Sequence, residues 1–239
     1  MSNYADFLLN LLAQFGGGRG ETENELVRFG LAATFWGVLF AAAWSRWRQK
    51  ALRHEKFLIW GFGLGFIREV FMFAVFSLDL LGAVRFDFMH VFFPPLEHVI
   101  SMAAVIVVAS AFLRYIQGDI LLSRRFLQIG LGVSAFCYLA TAQWWAEAVT
   151  ANPLLRFGQT WADWLFRISA SLLIAFPIII LAKERRWLSD IVVAALSMFF
   201  LDEFLMLFNL ASGALYREIY GPIRHNLHLL AIPLLGYVY

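Results

Sequence analysis

Seven mainly apolar stretches, each near the roughly 20 residues that cross a bilayer's hydrocarbon core, follow one another along the chain with short polar segments between them. They cover residues 26–44, 57–81, 90–113, 126–147, 161–182, 188–209 and 222–239. Runs of this length and continuity predict helices, because a helix satisfies all its own backbone hydrogen bonds where no water is present. The fold class expected is all-α, a polytopic integral membrane protein with seven transmembrane helices.

Basic residues fix the expected orientation. Arg46, Arg48, Lys50, Arg53 and Lys56 fill the first loop, Arg114, Arg124 and Arg125 the third, and Lys183, Arg185 and Arg186 the fifth. The alternate loops are poorer in positive charge, so the positive-inside rule puts the N-terminus outside and the C-terminus in the cytoplasm. Tryptophans flank the spans: Trp44, Trp47, Trp60 and Trp187 toward the inner edge, and Trp144, Trp145, Trp161 and Trp164 toward the outer one. Ahead of the first span, residues 4–15 form a short amphipathic run, and GGGRG at 16–20 reads as a flexible hinge. Two regions result: residues 1–25 as an extracytoplasmic interfacial helix and linker, and 26–239 as a seven-helix membrane domain. No basic n-region or cleavage site precedes the first span, so insertion is expected to rest on that span itself. The seventh stretch ends at GYVY with no basic stop after it, as expected either of a membrane portion cut from a longer protein, with an output domain in the cytoplasm, or of a chain whose seventh span is its true end.

Composition narrows the classes. With 61% hydrophobic and 15% charged residues, the chain falls well below the roughly 25% charge of soluble domains. A net charge of +2 without a basic stripe gives nucleic acid no footprint. The one cysteine, Cys137, excludes an intrachain disulfide and reads as a packing residue.

Charged residues inside the apolar stretches are the candidate chemistry. Arg68 and Glu69 lie about eleven residues into an outward-running span, and Glu97 and His98 seven or eight into an inward-running one. Asp202 and Glu203 are about fourteen residues into the sixth span, and His225 and His228 three to six into the seventh. At 1.5 Å per residue all fall in one slab between the bilayer centre and its outer face. A charge at the centre costs roughly 2.5–3.5 kcal/mol on insertion scales, so these groups must face inward and satisfy one another.

Three readings compete. One is a buried salt-bridge network centred on Arg68. Another is a metal site drawn from Glu69, Glu97, His98, Asp202, Glu203, His225 and His228, suited to iron, zinc, manganese or copper, or a haem b held by His98 with His225 or His228 and by Arg68 or Arg224 on its propionates. A third is a polar cavity that binds a protonatable or lipidic signal. Asp163 and Arg167 read as a simple i, i+4 ion pair. No GxSxG, HExxH or Walker pattern supports soluble-type catalysis. Glycines at 61, 63, 65, 130 and 132 allow close helix contact, and a homodimer is expected from them.

The stretch FFPPLEHVISMAAVIVVASAFLRY, with the seven-helix N-out layout, resembles the membrane-integral sensor modules that precede histidine kinase, PAS or diguanylate cyclase domains in bacteria. The resemblance implies an input domain in the bacterial inner membrane. It would relay a signal through its last helix to a cytoplasmic kinase or cyclase, and would act as a homodimer, with no catalysis of its own. The alternatives are an integral-membrane metalloenzyme acting on a lipid or quinone, with Glu69, Glu97 or Glu203 as acid or base, and a small proton-coupled transporter.

Overall fold

A computed structural model describes residues 3–16, 22–50, 53–82, 86–184, 186–211 and 217–239. Every regular element among them is helical: α1 (Asn3–Gly16), α2 (Thr22–Lys50), α3 (Arg53–Leu80), α4 (Phe86–Gln117), α5 (Ile120–Ala151), a 3₁₀ turn (Phe157–Gln159), α6 (Trp161–Leu181), α7 (Trp187–Ala211) and α8 (Arg217–Val238). Six of them, α2 to α7, are long and apolar enough to cross a membrane. The seventh predicted span lies in α8, which is long enough but carries Arg224, His225, Asn226 and His228 in its first half. Its second half buries Leu229, Ala231, Ile232 and Leu235 in the bundle.

Helix neighbours close into a ring of α2, α3, α4, α6, α7 and α8, with α8 returning to α2. α5 buttresses the ring against α4 and α6, and α1 lies against α8 and α2. α4 is the most enclosed member: residues 104–113 are buried on every face, as a helix apolar all round must be.

Close helix approach depends on two glycines of α3. A Cβ on Gly61 would stand 2.5 Å from Val108 Cγ2 and 3.0 Å from the Val108 backbone nitrogen, and one on Gly65 would stand 2.7 Å from Trp36. Gly130 meets Ile106 in the same way, whereas Gly132 faces open space. The glycines first read as dimer surface are thus mostly spent on packing within the chain.

Three sequence expectations change in detail. α4 begins at Phe86, four residues before the stretch predicted from 90, so Pro94 and Pro95 sit more than two turns inside it. Their missing N–H groups leave the helical carbonyl positions of His90 and Val91 without donors, a local weakness in the ladder. Trp145, placed in the outer aromatic belt, is fully buried with its ring edge-on to Phe157 at 5.1 Å. In α1, Leu9 and Ala13 are the buried positions, while Tyr4, Phe7, Leu8, Leu11 and Phe15 point outward. Asn226 of α8 donates to the Leu12 carbonyl at 2.8 Å and fixes α1 to the bundle.

Gly61→Ala is expected to destabilise the fold by about 1–3 kcal/mol through overpacking at the α3–α4 crossing. Gly132→Ala, with no neighbour to meet, should stay within about 0.5 kcal/mol of the parent. Thermal unfolding in detergent reads both, and equal midpoints would contradict the crossing.

Candidate functional site

At the end of the ring where α2, α4, α6 and α8 begin, charged side chains from all six helices converge. α3 supplies Arg68, whose two terminal nitrogens donate to Glu69 on the same helix and to Glu97 on α4. Glu69 is 1% exposed, so its charge depends on this partner.

α6 builds a second group of the same form. Arg167 donates from Nε to Asp163 Oδ1 at 3.1 Å and from Nη1 to Glu203 Oε2 on α7 at 2.7 Å. Asp163 has no solvent exposure. The i, i+4 ion pair read from the sequence is present, but its side chains turn into the ring and Arg167 reaches on to Glu203. In the third group, Arg224 of α8 donates to Asp202 Oδ1 at 2.7 Å and lies 3.1 Å from the Met206 sulfur. His228 Nδ1 stands 3.4 Å from the other Asp202 oxygen. Arg28 of α2 pairs with Glu25 at 2.7 Å, stacks over Phe29 and completes the wall.

His98 joins the groups. Its Nδ1 donates to the Pro94 carbonyl at 2.8 Å, which fixes the hydrogen on that nitrogen because a carbonyl can only accept. Its Nε2 is 2.9 Å from Asp163 Oδ1 and 3.0 Å from Arg167 Nη2. A neutral ring accepts from the guanidinium, a protonated one donates to the carboxylate, and either state finds a partner in place. The rings of Phe157 and Phe166, 5.1 and 5.3 Å away, hold the imidazole from its sides.

These groups surround a cavity of about 90 Å³ whose wall includes Arg28, Arg68, Glu97, His98, Arg167, Asp202, Glu203, Arg224, His225 and His228. Ten to fifteen Å³ of such space admits one water, so it has room for several waters or one small ligand. A mainly apolar space of about 10 Å³ between α4, α6 and α7 shares Ser101, Met102, Ala170, Glu203 and His228 with this wall.

Arg68, Glu97, His98, Asp202, Glu203, His225 and His228 are therefore brought to one cavity, with Glu69 directly behind Arg68. Asp163, Arg167 and Arg28 were not counted in the sequence-derived cluster, although residues 163 and 167 lie at the same depth in their span. No group of three or more His, Cys, Asp or Glu side chains among the described residues is set to hold a metal ion. Each carboxylate here is already engaged by an arginine. The cavity is also well below the roughly 300–1,000 Å³ of ordinary small-molecule and cofactor sites, so the metal and haem readings gain no support from this geometry.

No protein-family model, no curated protein and no solved structure matches the chain.

Removing Arg167 leaves Asp163 and Glu203 without their shared partner inside the protein. Arg167→Gln is expected to cost about 3–5 kcal/mol, the usual penalty for breaking a buried pair from one side. Gln143→Ala, which removes only an exposed hydrogen bond to Glu147, should stay within about 0.5 kcal/mol of the parent. Equal unfolding midpoints for the two variants would contradict this ranking.

Proposed function

We propose that the chain is a seven-helix sensory input module of the bacterial inner membrane, with α8 as the seventh span and the cavity in the outer half of the bilayer. The observation that carries this reading is the position of α8, which touches the cavity at one end and a separate polar contact at the other. Near its start, Arg224 and His228 engage Asp202. At its far end, Tyr239 donates to the buried Glu55 of α3 and lies under the Arg46 guanidinium of α2, 4.4 Å from the ring centre. A change of charge or occupancy in the cavity thus bears directly on the last helix, the element that would lead to a cytoplasmic kinase or cyclase.

The inner half of the ring supports sensing over transport. Trp36, Phe62 and Phe199 pack beneath the cavity with ring centres 5.9 and 6.4 Å apart, and Leu58, Phe112, Leu181 and Leu196 fill the space beyond. A ligand can enter and be read there without a polar path across. The metalloenzyme reading would need carboxylates free of arginine partners. For the homodimer we propose the outward face of α5, where Ile129, Gly132, Phe136 and Leu139 lie on one side with the three large side chains exposed.

The test needs no ligand. Spin labels replacing Tyr237 on α8 and Leu121 on α5, both exposed, in a Cys137→Ser background, would report the position of the last helix. Asp202→Asn, which releases Arg224 and His228, is expected to shift the inter-label distance by about 1–2 Å, the scale of helix displacements in switching proteins. An unchanged distance distribution in a folded variant would overturn the relay.

A further inference from the structure

Toward the end of the bundle away from the cavity, α2 and α3 carry a column of aromatic rings. Phe66 stacks on Phe40 with ring centres 6.4 Å apart, Phe40 meets Trp44 at 6.1 Å, and Trp44 meets Trp47 at 5.6 Å. Trp44 is exposed and the other three are half-buried. Two cations close the column: the Arg48 guanidinium lies 6.0 Å from the Trp44 ring centre, and Lys56 Nζ lies 5.5 Å from that of Trp47. Ring faces attract cations without neutralising them, and neither side chain pairs with a carboxylate among the described residues. Arginine and lysine keep their charge throughout the physiological pH range.

The depth of the column matches a lipid. The apolar spans run as far as Gln49 in α2 and start at Glu55 in α3, so Arg48 and Lys56 stand at the hydrocarbon boundary, where headgroups lie. Phe40 is eight residues inside Arg48 and Phe66 ten inside Lys56, depths of about 12 and 15 Å at the helical rise. One leaflet's share of the roughly 30 Å hydrocarbon core is the same.

An orphan donor marks the head of the column. Trp47 Nε1 is shut from solvent and has no hydrogen-bond partner among the described residues. A buried N–H left unpaired costs about 1–3 kcal/mol, and a buried indole N–H ordinarily finds an acceptor, which here has to come from outside the chain. Lys56 sits 5.5 Å from the centre of the same ring, a gap that one phosphate bridges with hydrogen bonds of about 2.8 Å on either side. We infer that the α2–α3 seam binds one anionic phospholipid, its phosphate between Lys56 and the Trp47 N–H with Arg48 beside it, and an acyl chain along Trp44, Phe40 and Phe66. The site is separate from the cavity and does not depend on what the cavity senses.

The experiment is native mass spectrometry of the intact chain in detergent, counting bound phosphatidylglycerol and phosphatidylcholine, with inorganic phosphate as competitor. One phosphatidylglycerol is expected to bind at least tenfold tighter than phosphatidylcholine and to stay bound in equimolar inorganic phosphate. Arg48→Gln with Lys56→Gln should abolish that preference. Arg124→Gln with Arg125→Gln removes two exposed charges from the same end without touching the column, and should change affinity less than twofold. Trp47→Phe keeps a ring and loses the N–H. It should weaken binding at least threefold without lowering the unfolding midpoint, because that N–H bonds nothing in the fold.

Equal binding of the two lipids, displacement by inorganic phosphate, an equal loss in the Arg124 and Arg125 double variant, or unaltered affinity in Trp47→Phe would each overturn the proposal.

Discussion

Taking an ionised side chain out of water costs several kcal/mol even after the protein relaxes around it, and this bundle gathers charged side chains from six helices near one end and buries Glu69, Asp163 and Asp202 among them. Asp163 and Glu69 are almost wholly shut from solvent. They persist because an arginine from the same helix reaches each of them and then continues to a second carboxylate on a neighbouring helix. That bridging joins neighbours around the ring: Arg68 ties α3 to α4, Arg167 ties α6 to α7, and Arg224 ties α8 to α7. The helices could pack apolar faces in several registers, but only a register that lets these arms meet leaves no charge stranded.

The other half of the bundle is held by different forces. Aromatic contacts such as Trp36 with Phe62 and Phe199 contribute about 0.5–1.5 kcal/mol each beyond burial. The polar pairs there are short and self-contained, as where Ser110 and Ser123 exchange hydrogen bonds between α4 and α5 at 2.8–3.0 Å. One end is specific and polar, the other adaptable in detail but dense. Glu55 with Tyr239 is the exception at the dense end, and it falls on the last helix.

Much of this was legible in the chain. Length and hydropathy located the helices, and counting residues from each span's start put Arg68, Glu97, His98, Asp202, Glu203 and His228 at one depth, where the structure gathers them. Partner choice was not legible. Hydrophobic period says which face of a helix is wet or dry, but not which neighbour it meets, so Arg167 looked local when its second hand reaches Glu203. Trp145 was misplaced for a related reason: tryptophan near a span's end fits an aromatic belt or a core equally well, and only the fold of 152–160 over it decides. The start of α4 was set four residues late because the apolar stretch was counted from residue 90, and Asp87 interrupts it in the turn that precedes.

The full enclosure of residues 104–113 has a mechanical consequence. A helix with one free face can bend toward lipid, but this stretch of α4 is gripped by α3, α5, α6 and α7, and close-packed interiors resist deformation. What it can still do is slide or turn about its own axis. Its upper portion, by contrast, is weakened by Pro94 and Pro95 and bears Glu97 and His98 one turn further on. α4 is thus a stiff rod with a compliant tip, and the joint between them lies just above the cavity.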